Sequence, residues 1–185
     1  MGELTVNDCE QDREETLKYR VVALLPRALP EHHPGQLFFC MGLQGTESRR
    51  ASIAYLVSLS TGEAWKCWQR DIIGELKPEL LGEKERLQLS QIRPFGALDV
   101  REQDPEYSGY SFLPDGRYAA GVWLAGPEEA WEYVRMQKDY QYRVMICDRD
   151  DFAVLEIQEG KLLFPDEETI RRLRNEQGGQ GMEMR

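Results

Sequence analysis

The 185-residue chain reads as an α+β protein: a mainly antiparallel, curved sheet with two or three helices packed against it. Three observations predict that class. Apolar, β-rich runs recur in short pieces, as in "VVALL", "LFFCMG", "IAYLVSL", "YRVMIC" and "FAVLEI". Several of them are joined by short turn-forming stretches, "STG", "PDG", "DRDD" and "QEG", which leave room only for an antiparallel return. Helical periodicity is confined to a few segments, so there are few strand–helix–strand crossovers from which to build a parallel sheet.

Taken in order, residues 1–16 are polar and acid-rich and are expected to form a disordered arm. They lack the basic start and apolar core of a signal peptide. Residues 17–176 are expected to form one α+β domain, with a possible subdivision near residues 93–107. "KYRVVALLP" is a buried strand stopped by Pro26, and "RALPEHHPGQ" is a loop. "LFFCMGL" is the next strand. "ASIAYLVSL" and "EAWKCWQR" then flank "STG" as a hairpin. Asp71 has the chemistry of a helix cap, so "IIGELKPELLGEKERLQLSQI" is expected to be helical in part, broken near Pro78 and Gly82.

In the second half, "YSFLPDGRYAAGVWLA" is a hairpin about "PDG". A helix follows with Pro127 at its first position and Glu128 and Glu129 in its first turn, where the helix dipole favours acids. Its buried stripe is expected to hold Ala130, Trp131 and Val134, widened by Tyr133 and Met136. "YRVMIC", "FAVLEI" and "KLLF" are three consecutive antiparallel strands. A last helix, "EETIRRLRNE", opens at Pro165 and Asp166, with Ile170 and Leu173 on one face. Residues 177–185 form a Gly-rich flexible tail.

The composition narrows the function. There are 23 basic and 33 acidic residues, a net charge of −10. That disfavours nucleic-acid backbones and anionic membrane surfaces, and it favours a protein partner with a basic patch. No apolar run is long enough to span a membrane. Four widely spaced cysteines, Cys9, Cys40, Cys67 and Cys147, suit neither a zinc site nor a disulfide scaffold. They are expected to be free thiols in a reducing, cytoplasmic setting. No cofactor or metal is expected, because no phosphate-binding loop, nucleophile elbow or ligand cluster is present.

The densest chemical signal is "CDRDDFAVLEIQEGKLLFPDEE" from Cys147 to Glu168. It carries eight acidic and two basic side chains. A metal-dependent nuclease or other hydrolase would use Asp148, Asp151 and Glu159 as ligands, with Lys161 orienting water. Against it, Gly160 falls where a hairpin turn belongs. A calcium loop counted from Asp148 and Asp150 to Glu159 fails, because Phe152 and Ala153 occupy positions that need a ligand and a glycine. An acid/base pair such as Asp148 with Glu156 has no specific support. The simpler expectation is that Asp148, Asp150, Asp151 and Glu159 form a solvated acidic edge that steers a basic partner.

Two further features bear on binding. "EHHPG" holds His32 and His33, and a Cys40–His32 nucleophile pair is set aside because Cys40 lies in an apolar strand, where burial makes a thiol inert. In "AWKCW", Trp65 and Trp68 point to opposite faces of a strand, so one is exposed unless both faces are covered. The reading is a non-enzymatic protein-binding module: an inhibitor, an immunity-type protein or an accessory or regulatory subunit. Its binding residues are Trp65, Trp68, Asp148, Asp150, Asp151 and Glu159. The hydrolase is the alternative. A sensor with a small apolar ligand near Trp65 or Trp123 is a third reading.

Overall fold

A computed structural model describes residues 3–10, 16–45, 52–94 and 104–165. The expected last helix with Ile170 and Leu173, the cap at Asp166 and the tail at 177–185 lie outside these residues, as does most of the 93–107 loop.

Among the described residues the chain forms two five-stranded antiparallel sheets and two α-helices, so the mainly antiparallel α+β class holds but the sheet is not single. The first sheet has the order β4-β3-β2-β1-β5, from β1 (Val21–Leu24), β2 (Leu37–Gln44), β3 (Ile53–Ser58), β4 (Ala64–Trp68) and β5 (Ile72–Glu75). The second has the order β10-β9-β8-β6-β7, from β6 (Tyr107–Phe112), β7 (Tyr118–Leu124), β8 (Arg143–Cys147), β9 (Ala153–Gln158) and β10 (Lys161–Phe164). α1 (Glu83–Ser90) links the halves, and α2 (Pro127–Gln137) connects β7 to β8.

β5 corrects the expected helix after Asp71. Ile72–Glu75 pairs antiparallel with β1, a single 3-10 turn follows at Pro78–Leu80, and α-helix begins at Glu83. The apolar pair Ile72-Ile73 completes a sheet edge, and this long-range pairing overrides the local cap signal. Residues 3–10 correct the expected disordered arm. Cys9 is buried in the core and bridges Leu76, while Glu10 N–H donates to Glu75 O at 2.8 Å. One buried thiol and a few backbone bonds along β5 tie this polar segment down.

β1 and β2 are buried on both faces. Val22, Leu24, Phe38, Cys40, Ala54 and Leu56 pack on one side. Val21, Ala23, Leu37, Phe39 and Met41 pack on the other, with Leu89 and Ile92 from the α1 region and Met136 and Tyr140 from the α2 region. This second cluster therefore draws on both halves of the chain. Polar contacts follow the same seam. The Val21 N–H donates to Tyr140 Oη at 2.8 Å, and Arg20 meets Asp139 at 2.7 Å.

α2 lies on one face of the second sheet and buries Ala130, Tyr133 and Val134 against Leu124, Val144, Ile146 and Ile157. Glu129 reaches back to accept the Ala125 N–H at 2.6 Å, which fixes the start of the helix. Trp131 departs from the expected stripe: it is exposed, with Arg135 over its ring. The buried stripe runs through 130, 133, 134 and 137, and position 131 is one helical step off it.

Candidate protein-binding surface

Two glycines define the faces of the second sheet. A Cβ on Gly109 would lie 2.6 Å from the Tyr133 ring of α2, so Gly109 points inward. A Cβ on Gly121 would lie 2.9–3.1 Å from Tyr118 and Tyr110, so Gly121 points to the outer face. Strand register then orders that outer face into rows. Trp123, Ser108, Cys147 and Ala153 form one; Gly121, Tyr110, Met145, Glu156 and Phe164 form the next; Tyr118, Phe112, Arg143, Gln158 and Lys161 form the third.

Neither described helix packs on this face, and it is rich in rings. Trp123 is 61% exposed, Tyr118 58% and Phe164 49%. Tyr118 lies 6.2 Å from Tyr110 and 6.1 Å from Phe112, centroid to centroid. The Arg143 guanidinium stacks over Phe112 at 4.9 Å, and its Nε lies 2.7 Å from Glu156 Oε1. The one cation at the centre of the rows is thus held by an aromatic face and a carboxylate of the same sheet.

The acidic stretch divides between two turns. In the β8–β9 turn, Asp148 Oδ1 accepts the N–H groups of Asp150 and Phe152, both at 3.0 Å. Asp151 takes a left-handed conformation at φ 64°, and its Oδ1 accepts the Tyr110 hydroxyl at 3.1 Å. This turn therefore leans against the outer face. Glu159 and Gly160, at φ 48° and 73°, are the two central residues of the β9–β10 hairpin, opposite the Gln158–Lys161 pair.

The six residues of β9 separate the two turns, about 20 Å at roughly 3.3 Å per residue. Asp148 and Asp151 thus sit at one end of the strand, Glu159 and Lys161 at the other. They do not converge as a two-carboxylate hydrolytic site requires. The acidic edge needs the same correction: Asp148, Asp150 and Asp151 cluster, and Glu159 does not join them. Local turn chemistry decides both points, since Asp and Glu-Gly each serve the turn in which they stand.

Trp65 and Trp68 lie on β4, an edge strand of the first sheet. The Trp65 indole N–H donates to Ala28 O at 3.2 Å, and Arg70 covers the Trp68 ring. Both are partly exposed, but they belong to the other sheet from the acidic turn.

Sequence reasoning missed Trp123, Tyr118, Tyr110, Phe112 and Phe164 as one surface, and it missed a serine–histidine contact. His33 Nδ1 lies 2.6 Å from Gly35 O, and its Nε2 lies 2.9 Å from Ser58 Oγ. Ser58 Oγ accepts the Ser60 and Thr61 N–H groups, both at 3.1 Å. With two N–H donors received and the His33 ring beside it, this buried hydroxyl staples the β3–β4 turn. His32, at φ 60°, is exposed beside Glu31, whereas Cys40 is fully buried and burial pushes its thiol up to about 11. Burial pushes Cys67 to about 12 and raises Cys9 and Cys147 as well; all four are free thiols.

A cavity of about 340 Å³ opens between the N-terminal segment, the 33–37 loop and α1, lined by Leu4, His33, Gln36, Ser60, Lys84 and Glu85 among others. Neither Trp65 nor Trp123 lines it, so it is not the apolar pocket expected of a sensor. Among the described residues no helix is long and apolar enough to cross a membrane. Comparisons with protein-family models, with curated proteins and with solved structures found no match to this chain.

Proposed function

We propose that this is a non-enzymatic protein-binding module that meets its partner through the outer face of the second sheet. The observation that carries the reading is the combination on that face of Trp123, Tyr118 and Phe164, all strongly exposed, with an acidic turn at its rim. Exposed aromatic clusters are favoured as binding anchors, because they offer large area at small loss of side-chain entropy. Rim carboxylates steer a basic partner on approach. Such a module would act as an inhibitor, an immunity-type protein or an accessory subunit in the cytoplasm.

Quantitative affinity capture tests it. Wild type and the Trp123→Ser/Tyr118→Ser variant would serve as baits in extract of the source cells, after matching melting temperatures confirm that both fold. The variant should lose at least about tenfold of its specifically captured partner, as loss of a hot spot implies. Equal capture by the two baits would contradict the proposal.

A further inference from the structure

We infer that the partner's anchor is an arginine or lysine side chain that enters the outer face between Trp123 and the Asp148–Asp151 turn. The inference rests on the reading of that face as a protein-binding surface and gives its chemistry. In the first row, Trp123 and Cys147 flank Ser108 across two strand spacings, about 10 Å. Ser108 is buried, and the Tyr110 side chain, whose hydroxyl meets both Ser108 and Asp151, lies between Trp123 and the turn. Across from Trp123 stand the exposed Asp150 and Asp151, at the end of the Tyr110 ring.

This arrangement suits a long cationic side chain. Its aliphatic stem would lie along Tyr110, its charge would meet the Asp150 and Asp151 carboxylates, and the exposed Trp123 ring would supply a cation–π contact. The carboxylates are held in place. Asp148 fixes the turn through two backbone bonds, and the Tyr110 hydroxyl holds Asp151. The nearest central cation, Arg143, is engaged by Phe112 and Glu156 and leaves the turn's charge in place. Arg149 is exposed in the same turn, and three acids less that one base leave it at −2. A second copy of the chain is a poor occupant, because each copy carries −10. Charge complementarity therefore points to a basic segment of another protein.

The test uses fluorescence anisotropy with two labelled nonapeptides, one alternating arginine and leucine, the other with citrulline in place of each arginine. Citrulline keeps the shape of arginine and removes its charge. The arginine peptide should bind the full-length protein at 150 mM salt, and the citrulline peptide should bind at least tenfold more weakly. Asp150→Asn with Asp151→Asn should weaken the arginine peptide about tenfold and leave the citrulline peptide unchanged. Trp123→Ser should weaken the arginine peptide to a similar degree. A charge-matched control, Glu31→Gln with Glu79→Gln on the first half of the chain, should stay within twofold of wild type. If the control loses as much as the Asp pair, the attraction is bulk charge and the inference is overturned. If citrulline and arginine peptides bind equally and both need Trp123, the surface stands and the cationic anchor falls. If the arginine peptide fails to bind, or binds independently of Trp123 and both aspartates, the anchor is overturned. Binding with that independence would count against the surface as well.

Discussion

Tyr133→Ala should lower the unfolding free energy by about 3–5 kcal/mol, as expected for removing a fully buried aromatic ring. The ring is 0% exposed and lies against Gly109, where an added Cβ would come within 2.6 Å of it. Its hydroxyl donates to Ser90 O at 2.9 Å and meets Ser111 Oγ at 2.8 Å. One side chain of α2 thereby touches β6 and the last residue of α1. Tyr133→Phe keeps the ring and should cost less, about 1–3 kcal/mol, by leaving buried polar groups without this partner. Gly109→Ala, which drives a methyl group into the ring, should cost about 1–3 kcal/mol. Urea unfolding checks all three: the Tyr133→Ala midpoint should fall furthest, and the slope should be unchanged in each. A Tyr133→Ala midpoint within error of wild type would show that α2 does not pack as described.

Arg86→Ala is expected to be the second severe change, because it undoes a joint between the two halves. The guanidinium donates from Nε to Leu81 O at 3.2 Å, from Nη2 to Pro78 O at 3.2 Å, and from Nη1 to Tyr140 O. Three carbonyls from the turn before α1 and the end of α2 thus converge on one side chain. Burial lowers the pKa of this guanidinium, but an arginine remains charged at any working pH. Each carbonyl left buried without a partner should cost about 1–3 kcal/mol. Arg86→Lys should recover only part of the loss, since an ammonium cannot span three acceptors in the plane of the guanidinium fork. The check is again equilibrium unfolding. Equal stability of Arg86→Ala and wild type would mean that the carbonyls find water and the joint is dispensable.

Much of the fold is legible in the sequence where structure is local. The "STG", "PDG", "DRDD" and "QEG" turns each form the expected antiparallel return. Pro127, Glu128 and Glu129 open α2 as the helix dipole favours. What escapes is set by distant contacts. Asp71 and "IIGE" carry a helix signal that pairing with β1 overrides, and nothing in residues 3–10 marks Cys9 as core.

The binding face escapes for a related reason. Simple alternation places Tyr118 and Trp123 on opposite faces of β7. The register shift between Ser111 and Phe112 sets Tyr118 opposite Phe112 and brings it to the outer side. A second shift, between Leu162 and Phe164, sets Phe164 opposite Glu156. Bulges of this kind leave no mark in the apolar pattern, so the sequence points to Trp65 and Trp68 and passes over the surface in which Trp123 and Tyr118 stand together.

The claim that the outer face of the second sheet meets a protein partner is tested most directly by site-specific photo-crosslinking in the source cells. A photoreactive phenylalanine analogue would replace Trp123 on the outer face, Trp131 on α2 or Trp68 on β4, three exposed positions on different surfaces. A discrete higher-mass adduct from position 123, absent from 131 and 68, is the predicted result. An adduct from position 131 or 68, with none from 123, would contradict it.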